Sequence, residues 1–524
     1  MTMAKNPIFP GFYPDPSICA VGEDYYIVNS SFCYFPGLPV MHSKDLAHWE
    51  QIGNILTRKS QLSLKGDEIS RGLFAPTMRY HNGIYYVICT NVDRGGNFIV
   101  KSTDPSGPWS DPFYLNGADG IDPSLFFDPS GKCYYIGTHE NPEGARYNGD
   151  WYIYIQEIDL TEMKLVGEHK NVWNGALKNV IWPEGPHLYY ENGYYYIMHA
   201  EGGTGPEHAV TVCRSRNIWG PYENNPCNPI LTHRHFGQNF PVRYVGHGDL
   251  MQTVKGEWYM VLLAVRQTEG YTTMGRETFL AKVTWENDWP VVNAGHGMLT
   301  DTVEIELPEW KPSKTQIDVN IREYTFGQMQ TLGDEFLFLR DEEAMRYELT
   351  EQGLDLFYSP YTMSDDDTET YLALRQQHKN FTISATLPVP NLSNNKQCGV
   401  VYLQNNQYHL RIELAESEDK SSLEAKAIMC KAGVDEILAV TPINQGVLEL
   451  TLSLKVQGLY ADAVLCCDGV EQIVAAKVSI RNLSTEVAGG FVGCTTGVYA
   501  VWKDMPSQLR ESCTITQLSY RADV

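Results

Sequence analysis

Five stretches of this chain share one shape, and that recurrence limits the fold more than any other feature. They are YPDPSICAVGEDYYIV (13–28), FAPTMRYHNGIYYVI (74–88), IDPSLFFDPSGKCYYIG (121–137), PEGPHLYYENGYYYIM (183–198) and GHGDLMQTVKGEWYMV (246–261). Each opens on small or proline-rich residues, runs through a short apolar strand, turns on Gly, Asp or Asn, and resumes on paired aromatics. That is the signature of a β-hairpin. Between the hairpins lie further strand-like segments with turns around Trp49, Trp109, Trp219 and Trp289. A unit of roughly 50–60 residues holding four short strands has the spacing of a propeller blade. Helix-period patterning is almost absent before residue 305, which argues against the usual α/β enzyme folds. The predicted architecture is all-β, a five-bladed β-propeller over residues 1–310.

The rest of the chain reads differently. With 524 residues it exceeds what one ordinary core organises. Residues 311–325 read as a linker. From 326 to 524 short alternating strands such as NFTISATL, QYHLRIEL and VLELTLSLKV are separated by turn signals, the pattern of a β-sandwich.

Counting back from each aromatic pair, one phase holds Asp15, Asp122, Glu184 and His247, and Ala75-Pro76 in the second unit. The first strand of a blade lines the central axis. Equal phase therefore predicts three carboxylates and a histidine at one mouth of the channel. Alone, an Asp-Pro or a Glu between Pro and Gly is an ordinary turn residue. Three in phase in a partly dry funnel repel one another and pull their pKa values apart. Hydrolysis of a glycosidic bond needs such a set: a protonated carboxyl for the leaving oxygen and an ionised one to activate water, about 6.5–9.5 Å apart in inverting enzymes. Glu184, flanked by Trp182, Pro183 and Pro186, is the candidate acid. Asp15 suits the base, and Asp122 is left to tune the acid. A hard-cation site built from these carboxylates and His247 is the alternative, although no consecutive calcium loop is present.

At these residues the chain closely resembles glycoside hydrolase family 43, the β-xylosidases and α-L-arabinofuranosidases. NPIFPGFYPDPSI, GIDPSLFFDPSGKCYYIG, PEGPHLYY, AEGGTGPEHAVTVCRSRNIWGPYE, GHGDLMQT and MGRETFLAKVTWENDWPVV carry the likeness, nearly unbroken over the first 300 residues. The resemblance implies an inverting mechanism with Asp15 as base, Asp122 as pKa modulator and Glu184 as acid. It makes Arg276 the arginine that binds sugar hydroxyls and orients a carboxylate; the alternative is a surface ion pair with Glu277. It makes Phe32 an aromatic wall of the sugar pocket, and His208 a histidine near the acid. It also makes His247 the axial residue that in part of the family ligates calcium. Where many xylosidases of the family read GIWAPD, this chain reads GLFAPT, so Phe74 and Thr77 are expected in the pocket and the choice between xylose and arabinofuranose stays open. FVGCTTGVYAVW (491–502) is similar to the segment that reaches the propeller mouth from the sandwich. Some relatives close the pocket there with an aromatic, whereas Thr495 and Thr496 are small.

Composition trims the remaining possibilities. A net charge of −24 argues against nucleic acid or anionic membrane as partner. The opening MTMAKNPIFPGFYPDP lacks a signal-type apolar stretch, no run matches a membrane span, and the 12 cysteines contain no CxxC pair. A cytoplasmic protein with mostly reduced thiols is expected. The motif NDPNG of fructan-cleaving propellers is absent. The leading expectation is an exo-acting inverting glycosidase that frees xylose from the non-reducing end of β-1,4-xylo-oligosaccharides, with α-L-arabinofuranosidase activity. A dedicated arabinofuranosidase and a non-catalytic sugar-binding propeller are the alternatives. Calcium at the axis and a homo-oligomer are left open.

Overall fold

A computed structural model describes residues 1–313, 320–340 and 346–523. Each of the five hairpins forms the inner half of a four-stranded antiparallel blade. The innermost strands are Ser17–Val21, Leu73–His81, Ile121–Phe127, Glu184–Glu191 and Val242–Gln252. Each pairs with the strand that opens on the aromatic pair, and the chain then steps outward to two further strands. Because successive strand residues face opposite sides, each blade offers apolar residues to both neighbours. Separate apolar clusters accordingly fill the gaps between adjacent blades. At the seam between the fifth and first blades, Thr2–Lys5 pairs with Thr302–Ile305, and Asn6 exchanges hydrogen bonds with the Leu280 backbone.

Two six-stranded sheets form the second unit, packed face to face over a large apolar core. One of them corrects the expected linker. Residues Ile321–Thr325 are an edge strand paired in full with Gln517–Ala522, so the sandwich begins before 326. Five residues of weak alternation gave no local sign of this, since the partner lies near the other end of the chain. Of the remaining linker, 314–319 lies outside the described residues. Residues Trp310 and Ser313 are pinned to the first blade through the carboxylates of Asp45 and Glu50.

The sandwich is fused to the propeller. Phe338–Leu339 pairs with Tyr34–Phe35 of the first blade, and a shared cluster joins Phe12, Phe32 and Tyr34 to Leu339, Tyr371 and Tyr499. Thr495, quoted above for its small size, is buried between the hydroxyls of Tyr34 and Tyr371. All 12 cysteines are free thiols, most of them buried.

Candidate active site

One residue at the mouth of every blade has left-handed backbone: Asp15, Ala75, Asp122, Gly185 and His247, with φ of 50°, 37°, 54°, 56° and 50°. In blades two to five a register irregularity in the innermost strand accompanies it. Such a bulge turns a side chain out of the pleat, and a non-glycine residue held there is strained. The chain accepts that strain at the same place in four blades, where it aims side chains at the axis. Glu184 is the variation, standing one residue before the left-handed Gly185. A Cβ on Gly185 would come within 2.8 Å of the His247 ring, so glycine is needed for the close approach.

Glu184 is fixed from both sides. The Thr138 hydroxyl donates to the carbonyl of Pro183 (2.6 Å), and the Gly185 N–H donates to Asp122 Oδ2 (2.9 Å). Asp15 accepts from Arg276 Nη1 (2.6 Å) and from the Ser30 hydroxyl (2.6 Å). His247 Nδ1 lies 3.9 Å from Asp15 Oδ1. Arg276 is thus turned to Asp15, while Glu277 is taken by Arg266 at 2.7 Å, which removes the surface-pair alternative.

These contacts separate the three acids. Burial raises Asp15, but Arg276, then His247 and the Ser30 hydrogen bond, outweigh it and hold the carboxyl below its usual range. Burial dominates at Glu184, and repulsion from Asp122 and Asp15 adds to it, so its carboxyl is pushed well above the usual range. Asp122 is also raised, by burial and the Asp15 charge, against the pull of His247. The surroundings thus lower one carboxyl and raise the other two.

The cavity over them has a volume of about 80 Å³ and is walled by Phe32, Phe74, Ile121, Thr204 and Phe491 besides the charged residues. Phe32 and Phe74 meet edge to face at 4.9 Å, and Phe491 stacks on Phe32 at 6.2 Å. Phe491 comes from the sandwich, so an aromatic does close this pocket. Thr495 and Thr496 were the wrong positions to consult. Thr204 and Ile121 also escaped the sequence reading, which had no periodic signal to single them out.

Two expected pocket residues are not lining residues. Thr77 is buried beyond the register irregularity that follows Phe74 and does not line the cavity. His208 packs its ring over Gly246 and bonds the Tyr244 carbonyl through Nδ1 (2.9 Å). Burial lowers His208 to about 4, which leaves it neutral near Asp15.

The axis below the mouth is filled by Arg79. Its guanidinium donates to both oxygens of Asp249 (2.8 and 2.9 Å), to Ser17 (3.1 Å) and to His187 Nδ1 (3.1 Å). Asp249 further accepts from Ser17 Oγ, the Ile18 N–H and the Tyr189 hydroxyl. A guanidinium only donates, so His187 Nδ1 is the acceptor and its proton sits on buried Nε2. Calcium takes six to eight oxygen ligands. Here the axial carboxylate is fully engaged, a fixed cation already stands on the axis, and the free histidine nitrogen is a donor. This group below the mouth therefore offers no calcium site, while His247, the residue expected to ligate one, stands above it with its ring 3.9 Å from Asp15 and against Gly185. Among the described residues, the histidine–acid group close enough to grip an ion is His409, Cys430 and Asp435 in the sandwich, and Arg411 already pairs with Asp435.

A five-bladed propeller that gathers three carboxyl groups under an aromatic wall at one mouth has the groups that glycosidic hydrolysis needs. The model of glycosyl hydrolases family 43 matches residues 4–290, and that of the beta xylosidase C-terminal Concanavalin A-like domain matches 323–511. The chain belongs to family 43. It is 49% identical over 504 residues to a xylosidase/arabinosidase of Butyrivibrio fibrisolvens, covering 95% of this chain and 96% of that one. It is 36% identical over 510 residues to the non-reducing end alpha-L-arabinofuranosidase BoGH43B of Bacteroides ovatus, covering 95% and 91%. Among solved structures, xylan beta-1,4-xylosidase from Bacillus halodurans C-125 superposes with a TM-score of 0.90 at 32% identity, over 99% of this chain and 100% of that one.

Proposed function

We propose that this enzyme removes single terminal pentoses from short oligosaccharides, as a β-xylosidase that also cleaves α-L-arabinofuranosides, with inversion at the anomeric carbon. The observation that carries this is the unequal setting of two carboxyl groups in one aromatic-walled pocket. Asp15 is paired with Arg276 and the Ser30 hydroxyl, whereas Glu184 is desolvated with no cation, among the described residues, paired against it. Glu184 keeps a proton to give to the leaving glycosidic oxygen, while Asp15 stays ionised to take a proton from the attacking water. In one displacement, water oxygen bonds to the anomeric carbon as the bond to the leaving oxygen breaks. The Glu184 proton goes to that oxygen and the water proton to Asp15. Asp122 raises Glu184 by its charge and, through the Gly185 N–H, holds the segment that carries it.

At about 80 Å³ the pocket is much smaller than the roughly 300–1,000 Å³ of sites for drug-sized ligands, which suits one terminal sugar and not an internal stretch of polymer. The axial channel on this reading needs no metal, because Arg79 supplies its positive charge. A dedicated arabinofuranosidase is the second reading, favoured by the activity named for the Bacteroides ovatus relative and by Phe74 in place of the usual Trp.

The test is kcat/KM on the aryl β-D-xylopyranoside and α-L-arabinofuranoside, with the first-formed anomer read by proton NMR. Initial release of α-xylose from the β-xyloside supports inversion. A β-xylose product overturns it. A ratio strongly favouring arabinofuranoside selects the second reading, and turnover of neither removes both.

A further inference from the structure

Arg276 sits at the end of a short segment that the sandwich holds residue by residue. The Thr485 N–H donates to the Thr272 carbonyl (2.9 Å), and the Cys494 N–H to the Thr273 carbonyl (2.7 Å). Gln376 Nε2 reaches the Thr273 hydroxyl at 3.3 Å. Gly493 lies against Met274 and Gly275 so closely that a Cβ there would stand 2.3 Å from the Met274 carbonyl oxygen. Glu486 makes the centre of this grip. Its Oε2 accepts from the Thr272 N–H (2.7 Å), and its Oε1 accepts from the Thr272 hydroxyl (2.8 Å) and from Gln267 Nε2 (2.9 Å). Hydrogen bonds to an ionised acceptor are the strong ones. Arg276 then closes the loop, donating to the Phe491 carbonyl from Nη2 (3.3 Å) and to Asp15 from Nη1.

We infer that Glu486 is a positioning residue for catalysis: through Thr272 it fixes the 272–275 segment and so sets where the Arg276 guanidinium meets Asp15. The sandwich on this view is part of the catalytic frame and does more than carry the Phe491 wall. A misplacement of about 1 Å in such a group can cost roughly a hundredfold in rate. The inference rests on the reading of Asp15 as base. The groups facing Asp15 are Arg276, His247, His208 and the other two carboxyls, Asp122 and Glu184. Glu486 touches none of these groups itself, so its effect on them has to pass through the segment.

The experiment compares full-length wild type, E486Q, E486A and E269Q as kcat/KM–pH profiles with thermal melts. Glu269 forms an ion pair with Arg481 of the sandwich (2.5 Å) but has no bond to residues 272–275, so E269Q controls for domain adhesion alone. Expected for E486A is a fall in kcat/KM of about 10- to 100-fold, carried mostly by kcat, with the acid limb moved to higher pH. E486Q keeps an acceptor for Thr272 and is expected to fall between wild type and E486A, and E269Q to follow wild type. The inference is overturned by an E486A profile that overlays wild type, or by E269Q and E486A changing alike in activity and melting temperature. If E486A does not fold, the acid limb of E486Q decides in the same way. Absence of turnover in wild type would instead strike the functional reading.

Discussion

On the proposed mechanism, Glu184 has to hold a proton that water would otherwise remove. Replacing it by Gln keeps the shape and removes the proton, so E184Q is expected to lose about 10²- to 10⁴-fold in kcat/KM on xylobiose. The loss should be much smaller on an aryl glycoside whose leaving group needs no proton, and comparing the two substrates checks the assignment. The pH profile follows from the signs. Asp15 must be ionised, and its depressed pKa keeps activity until pH falls below the ordinary carboxylate range. Glu184 must be protonated, so activity declines only as pH rises through its elevated pKa. An acid limb at or above about pH 4 would contradict the first sign, and an alkaline limb at or below about pH 4.3 the second. Arg79 makes a further expectation: dialysis against EDTA leaves kcat/KM unchanged and added calcium gives no shift in melting temperature. Recovery of a tenfold loss by calcium would show that the axis is read wrongly.

At the level of elements, the inner hairpins were legible because each is written locally, by apolar alternation, a turn and an aromatic pair. Phase counting found the three carboxylates for the same reason. It placed Glu184 only to within a residue, since the bulge that aims these side chains adds positions without changing composition. Thr77 and His208 fall outside the cavity wall, the first beyond the register irregularity after Phe74 and the second through packing over Gly246 that no motif records. Phe491 opens the FVGCTTGVYAVW segment expected at the mouth but was not singled out within it, and Thr204 and Glu486 were missed altogether. Glu486 meets Thr272 across more than 200 residues of chain, and nothing near it in sequence announces the encounter. Phe491 is also the most exposed member of its aromatic trio, at 40%. F491A is therefore expected to leave the melting temperature nearly unchanged while raising KM about tenfold, in line with loss of one aromatic contact surface. A change confined to kcat would place the residue in chemistry instead of binding.

Taken as a whole, the molecule has two architectures and one continuous interior. The cluster around Phe12, Tyr34, Tyr371 and Tyr499 belongs to both units, and Arg375, Gln377 and Arg340 donate across the boundary to main-chain oxygens of Phe12, Pro10 and Asp67. Interfaces this apolar do not behave as hinges. Calorimetry is expected to show one unfolding transition for the entire chain; two resolved transitions would mean the units are coupled only loosely. The plugged axis has a different kind of consequence. With Arg79, Asp249 and His187 closing the floor, the pocket has a single doorway, and the remainder of the oligosaccharide stands in it while its last sugar is cut off. The shortened chain has to leave before the freed sugar can, so each cut is a separate encounter. Such an enzyme works distributively, shortens a mixed population of chains in step, and is held back by its own monosaccharide product competing for the same seat.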